Sequence, residues 1–361
     1  MSGGAADIAK TRKPRPSLTI YDVARHAGLS IASVSRVLNR SGNPRSETRD
    51  RVMQAVRELS YVRDGAARAL SAGFKEVVGV VFRRGEDAGF EDEAESPLFD
   101  EIVTRGIEAS AQRSGFDVLI SMAGVDDAPS RLPALAGKTD GLILHDRLLS
   151  ATALAHLAEL LPVVTLGGRP APGTVSVRCD NDAGVRALVR HLVADHGYRT
   201  LAYLSGHADS PDSQARAAAL EREAKVASAR VLAGPRWTGD YSAAGGARVI
   251  SALLADGGRL PRAIVCANDQ TALGVMHALA QRGIRVPEDV AVTGFDDVAV
   301  ARHLHPTLTT VHQPIREMGE TAFDLLHATI MGRSHVQPDV VLPVELMVRD
   351  SCGCARPGGK A

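Results

Sequence analysis

The segment 19–39, TIYDVARHAGLSIASVSRVLN, narrows the possible folds more than any other stretch of the chain. Ile20, Val23, Ala24 and Ala27 fall at i, i+3, i+4 and i+7, the apolar stripe of one short helix. Thr19 stands where an N-cap belongs, with Asp22 three residues on, an acidic variant of the capping box. Gly28 then breaks the helix. Ser30 can cap a second helix that carries Ile31, Val34, Val37 and Leu38 on its buried side. Two short helices about a tight glycine turn form a helix-turn-helix unit. A third helix, from about Ser46 to Ser60, brings Val52, Ala55, Val56 and Leu59 to the same small core.

The outward face of the second helix carries the chemistry. Ala32, Ser33 and Ser35 are short, and Arg36 alone is long. Small residues let a helix approach base edges in the major groove, and an arginine there reaches a guanine edge or a phosphate. Charge supports this reading. Residues 1–73 hold thirteen Lys and Arg against six Asp and Glu, a net +7. The whole chain has 42 of each kind, so the remainder carries −7. A basic head on an acidic body implies a polyanionic partner for the head.

At 361 residues the chain needs two or three folding units. Beyond Val77, short apolar runs alternate with amphipathic helices. The strand-like runs are 77–82, 117–121, 141–145, 163–166, 201–204, 263–267 and 290–294. Helical stretches at 100–114, 183–196, 243–256 and 271–282 lie among them. This alternation predicts parallel sheets covered by helices on both faces, with ligands outside the carboxyl ends of the strands. Attention therefore falls on Leu98, Phe99, Asp146, Arg216, Tyr241, Asn268, Asp269, Asp296 and Asp297.

The run LTIYDVARHAGLSIASVSRVLN resembles the DNA-binding head of the lac repressor (LacI/GalR) family, and ETRDRVMQAVRELSYV continues the match. One departure is Pro44-Arg45, where the family usually has Val-Ser before the third helix. The resemblance implies DNA contacts from Thr19, Tyr21, Ser30, Ile31, Ala32, Ser33, Ser35, Arg36 and Asn39, with Ile31, Ala32 and Arg36 choosing the sequence. RDGAARALSAG, at 63–73, resembles the family's hinge helix, in which Arg68 and the wedge Leu70 would enter the minor groove when two copies meet.

GDYSAAGG, CANDQTALGV, VPEDVAVTGFDDV and PTLTTVHQP resemble effector-domain signatures of the same family. The implied fold is a small all-α head joined by a hinge helix to an α/β periplasmic-binding-protein-like domain of two doubly wound parallel-sheet subdomains. The expected layout is a basic flexible tail at 1–18, a head at 19–62, a hinge at 63–73, an effector and dimerisation domain at 74–351, and a tail at 352–361. Subdomain one would take 74–176 and 313–333, and subdomain two 177–311 and 334–351. The three crossings would lie near 175–179, 311–313 and 332–335.

The resemblance assigns Arg216, Tyr241, Asn268 and Asp296 to the effector, with Phe99 and Asp146 facing them from the other subdomain. Carboxylate, amide, guanidinium and an aromatic face together suit a sugar. Asp269 has a second reading, as the cap of the helix that begins near Gln270. The expected protein is a transcriptional repressor, a homodimer on a palindromic double-stranded operator, controlled by a small molecule. A non-sugar corepressor, a partner protein, and a sugar-transport role are the alternatives.

Other classes find less support. There is no G-x-S-x-G, Walker loop or H-E-x-x-H, so no enzyme is expected and no cofactor is implied. No run is apolar enough for a membrane, no export signal is expected, and four cysteines read as free thiols of the cytoplasm. Cys352 and Cys354 form the one close pair. With no histidine near them in the sequence, they read as part of an exposed tail and no metal is expected. The acid-rich loop 86–95 reads as solvated surface.

Overall fold

The computed structural model describes residues 18–39, 41–61, 73–84, 98–145, 147–333 and 337–354. The expected hinge with Arg68 and Leu70, the acid-rich loop and Asp146 lie outside the described residues. The chain divides into two compact units, 1–75 and 76–361.

The first unit is built from α1 (Ile20–Ala27), α2 (Ile31–Leu38) and α3 (Ser46–Glu58). Its core consists of Val23, Ala24, Ala27, Val34, Val37, Val52 and Ala55, all small side chains. At about 0.8 kcal/mol per buried methylene, such a core leaves little margin, and the caps matter accordingly. Gly28 ends α1 in the left-handed conformation, φ 62°, and the guanidinium of Arg51 donates to the Ala27 carbonyl at 2.7 Å. Ser30 caps α2 by accepting from the Ser33 N–H. Ile31 departs from its expected burial. It is 42% exposed, because the first residue of α2 precedes the turn that packs on α1 and α3. Despite Pro44-Arg45, α3 starts at Ser46, with Arg45 at the cap position and no side-chain cap.

The second unit begins with β1 (Val77–Arg83), α4 (Leu98–Ser114), β2 (Asp117–Ala123), α5 (Ala128–Ala136), β3 (Gly141–His145), α6 (Ala151–Leu160), β4 (Val163–Leu166) and β5 (Val175–Cys179). There follow α7 (Asn181–Arg190), a π-helical turn (His191–Asp195), β6 (Thr200–Leu204), α8 (Pro211–Val226), β7 (Arg230–Leu232), α9 (Ala243–Ala255), β8 (Ala263–Cys266), α10 (Asp269–Ala280) and β9 (Ala291–Asp296). The chain closes with β10 (Thr309–His312), α11 (Ile315–Ile330), β11 (Asp339–Leu342) and β12 (Glu345–Met347).

Two six-stranded sheets result, ordered β11-β5-β4-β3-β1-β2 and β12-β10-β9-β8-β6-β7. All pairings are parallel except β10 with β12. Strands such as GLILH and AIVC are covered on both faces, which is why they read as continuous apolar runs rather than alternating ones. No helix among the described residues is long and apolar enough to cross a membrane.

The sheets correct the expected subdomain limits. Residues 177–179 are the end of β5 in the first sheet, so the first crossing follows Cys179. The second crossing follows His312, where β10 gives way to α11, which packs on the first sheet. The third does not lie at 332–335. Asp339–Leu342 pairs with β5, placing β11 in the first subdomain, and the chain crosses only between Leu342 and Glu345. Short and half-exposed, β11 offers no long apolar run to identify it. The expected exposed tail from residue 352 is also corrected: Cys352 is fully buried in the core of the second subdomain.

Candidate functional site

In the head, the N-terminal half of α2 is an exposed, closely capped surface. Ile31, Ala32 and Arg36 stand in solvent, and Tyr21 of α1 is 61% exposed. The Arg36 Nε donates to the Ala32 carbonyl at 3.2 Å, so the guanidinium lies back toward the helix start. Ser30 and Ser33 share a hydroxyl hydrogen bond of 2.9 Å, and Asn39 donates to the Ser35 hydroxyl at 3.0 Å. Thr19 donates from both its backbone N–H and its hydroxyl to the Asp22 carboxylate, at 2.9 and 2.8 Å. These bonds hold the acid below the ordinary carboxylate range. The face thus combines short polar groups, two small apolar side chains and one long cation.

In the second unit, four of the residues read from the sequence meet at the carboxyl ends of the second sheet. Arg216, on α8, is buried with its Nε donating to Asn181 Oδ1 at 2.7 Å and Nη1 to the Ala267 carbonyl at 2.5 Å. Its guanidinium carbon lies 3.5 Å from the centre of the Phe295 ring. Asp296, the next residue, accepts from the Gln313 amide at 2.5 Å. Burial pushes its carboxyl up to about 7, against the pull of Arg216. Asn268 caps α10 by accepting from the Thr271 N–H, while its amide donates to the Tyr241 carbonyl at 3.0 Å. The Tyr241 hydroxyl bonds to Ser210 at 2.8 Å, and the ring lies against Gly206, where a Cβ would come within 2.2 Å of it.

Local sequence explains this convergence. A Cβ on Gly246 or Gly274 would collide with the Thr271 or Ala243 backbone, at 2.4 and 1.8 Å. The two glycines let α9 and α10 touch backbone to backbone, which brings the start of one, at Tyr241-Ser242, beside the start of the other, at Asn268. Tyr241 and Asp296 both hold positive φ, 69° and 118°, as does Asp297 at 56°.

The remaining expectations divide. Asn268, not Asp269, caps α10; Asp269 is wholly buried and takes hydrogen bonds from the Val298 N–H and the Thr310 hydroxyl. Asp297 turns away to pair with Arg302 and Arg349, as a structural carboxylate does. Phe99 lies at the start of α4 with its ring edge-on to His145, 6.0 Å between centres. It packs against the core of the first subdomain, while its neighbour Leu98 donates its N–H to Gln270 of the second subdomain at 3.2 Å.

Sequence reasoning missed Asn181, Asp212 and Gln313. The Asn181 amide donates to Asp212 at 2.8 Å, linking that acid to Arg216. Asn181 and Gln313 each stand next to a crossing, so the wall of the cleft is bonded directly to the hinges. Asp209 was missed as well. It accepts from Arg83 at 2.6 Å and Arg147 at 2.7 Å, two first-subdomain cations at the cleft mouth. Burial raises its pKa, but the two guanidiniums outweigh that and leave it below the ordinary value. An SPDS helix start at 210–213 was the one local signal nearby.

Comparison with known proteins gives this geometry a lineage. Residues 19–64 match the bacterial regulatory proteins of the lacI family, and residues 189–352 match the periplasmic binding protein-like domain. The HTH-type transcriptional repressor PurR of Vibrio vulnificus is 30% identical over 343 residues, covering 92% of this chain and 98% of that protein. The chain belongs to the lacI family. It is a DNA-binding transcriptional repressor and not an enzyme. Among solved structures, the repressor is similar to the lac repressor dimer bound to operator and the anti-inducer ONPF. That match has 29% identity and a TM-score of 0.79, and covers 93% of this chain and 99% of that one. The transcriptional regulator CelR in complex with cellobiose is 28% identical with a TM-score of 0.65, and the match covers 92% and 99% of the two chains.

Proposed function

We propose that this repressor holds a palindromic operator as a homodimer and that a sugar in the cleft of the second unit sets its grip. The observation that carries the effector reading is the meeting of Arg216, Tyr241, Asn268 and Asp296 on one wall. Carboxylate and amide bond adjacent hydroxyls, and an aromatic ring covers the apolar C–H side of a sugar. The cellobiose in the CelR structure agrees with that chemistry. Phe99 and Asp146 complete the site from the first subdomain.

On the operator, Arg36 contacts a base edge or phosphate, and Ile31 and Ala32 choose sequence by apolar contact. Thr19, Tyr21, Ser30, Ser33, Ser35 and Asn39 position the helix. Arg68 and Leu70 act in the minor groove. The dimer reading is supported by edge strand β2, which leaves Leu119, Ile120 and Met122 between 37% and 48% exposed, a patch suited to a second copy. The repressor works where the DNA is, in the cytoplasm.

A ligand shifts the two subdomains only by binding one arrangement better than the other. Asp296 and Arg216 are bonded to residues beside two crossings, so a ligand on them biases the hinge directly. A thermal-shift screen of sugars and nucleobases identifies the effector, because a ligand of the native state raises its melting temperature. With the hit in hand, Asp296→Ala abolishes the change in operator affinity on adding effector. If that variant still responds at the wild-type concentration, the site is elsewhere.

A further inference from the structure

The geometry points to a tetrahedral zinc site that fastens the C-terminal turn to the end of α7, built from His191, His196, Cys352 and Cys354. Their ligand atoms all lie within 4.8 Å of one another. The two Nε2 atoms are 3.3 Å apart. His191 Nε2 lies 3.2 Å from Cys352 Sγ and 3.7 Å from Cys354 Sγ, and His196 Nε2 lies 3.3 Å from Cys354 Sγ. A tetrahedral zinc with Zn–N of about 2.0–2.1 Å and Zn–S of about 2.3 Å sets N···N near about 3.3 Å and N···S near about 3.5 Å.

Hydrogen bonding alone does not account for the cluster. Three heavy atoms converge on His191 Nε2, from Cys352, Cys354 and His196. One nitrogen lone pair cannot serve three donors. A cation at the centre lets each group aim its lone pair at the same point. His191 is also oriented from behind: its Nδ1 lies 2.9 Å from the Asp195 carboxylate. That bond places the proton on Nδ1 and turns Nε2 toward the sulfurs, as the outer partners of metal-bound histidines do.

Two backbone features belong to this arrangement. On a regular α-helix residues five apart point about 140° away from each other. Here α7 runs into a π-helical turn, His191–Asp195, and the wider turn brings His191 and His196 to one side. Between the cysteines, Gly353 takes φ 101°, and a Cβ there would come 2.9 Å from the Tyr198 hydroxyl. That hydroxyl donates to the Cys352 carbonyl at 2.8 Å, and the Tyr198 ring stacks on His196 with 5.1 Å between centres. The cradle joins segments some 160 positions apart.

Two thiolates and two imidazoles, with four of their six separations close to those of a tetrahedral site, select zinc among the common divalent ions. Four protein ligands leave no open position, so the ion is structural. Binding displaces the two thiol protons to solvent. All four ligands lie in the second subdomain, away from the cleft residues, so the ion stiffens that subdomain without contacting the effector.

The test uses full-length repressor purified without a histidine tag under reducing conditions. Elemental analysis after gel filtration is expected to find about one zinc per chain, against near none in Cys354→Ser. Protein stripped with a chelator should bind one equivalent of cobalt(II). Its spectrum should show the visible bands of a tetrahedral ion and a thiolate charge-transfer band. Asp195→Asn, which keeps all four ligands, should weaken cobalt binding about 10- to 100-fold. Stripping should lower the melting temperature by several degrees and leave the effector response intact. If the Cys354→Ser protein does not fold, the wild-type zinc content and the Asp195→Asn titration decide alone. A reduced wild-type protein that takes up neither zinc nor cobalt overturns the proposal. So does a mass two hydrogens short, the mark of a Cys352–Cys354 disulfide.

Discussion

In the head, the residues assigned to DNA stand in solvent: Tyr21, Ile31, Ala32 and Arg36 are exposed, and their bonds reach at most a helical turn away. In the proposed effector wall, Arg216, Asn268 and Asp296 are buried and bonded to groups from distant parts of the chain. The two surfaces therefore respond differently to change. An exposed reading residue is replaceable without cost to the fold, and sequence preference changes freely. A wall residue is part of the core, so altering ligand choice also alters stability.

Arg216→Ala gives that contrast its sharpest test. Removing a buried cation leaves Asp296 and the Asn181–Asp212 pair without their partner, a loss of about 3–5 kcal/mol. Chemical denaturation should show the second unit unfolding early while the head's helices persist. If stability is unchanged, the wall is not part of the core and the contrast fails.

Arg36→Ala should do the opposite. The melting curve stays as in wild type, while discrimination at one operator position falls by on the order of 1–3 kcal/mol. Selection from a random DNA library reads this directly.

The third test is pH. The Asp296 carboxyl is raised to about 7, so between about pH 4 and that value the folded protein keeps a proton the unfolded chain releases. The stability this provides is full below about pH 4 and is lost as pH rises through about 7. Asp296→Asn should flatten that slope. Effector affinity should rise over the same window, because ligand hydroxyls donate to the ionised form; calorimetry at several pH values checks both.

Smallest is Asp209→Ala. It frees Arg83 and Arg147 at the cleft mouth, and with the acid half-exposed the change is worth at most about 1 kcal/mol. A several-fold change in effector affinity, measured by titration, with operator binding unaltered, is expected.

The same contrast explains what could be read from the sequence. The head's helices follow from cap and stripe, which are local, and α1, α2 and α3 lie within two residues of their expected bounds. Ile31 was misplaced because apolar spacing does not tell the first residue of a helix from its buried face. Central strands such as Gly141–His145 were legible from their apolar runs, whereas β11 and β12, short and half-exposed, were not. Arg216, Tyr241, Asn268 and Asp296 came from family resemblance. Asn181, Asp212 and Gln313 did not, because their roles arise from contacts across the fold. The histidine–cysteine cluster was illegible for the same reason.

The positive φ angles at Tyr241, Asp296 and Asp297 bear on how this repressor drifts over generations. Each non-glycine residue so placed holds of order 1–3 kcal/mol of local strain, tolerated because its surroundings over-determine it. Mutational drift toward greater robustness is thus steered toward the cleft wall at the end of β9, where relief is available. A lineage that outlives its small-molecule signal would go deaf before it lost its shape, and would persist as a sturdy silencer with nothing left to hear.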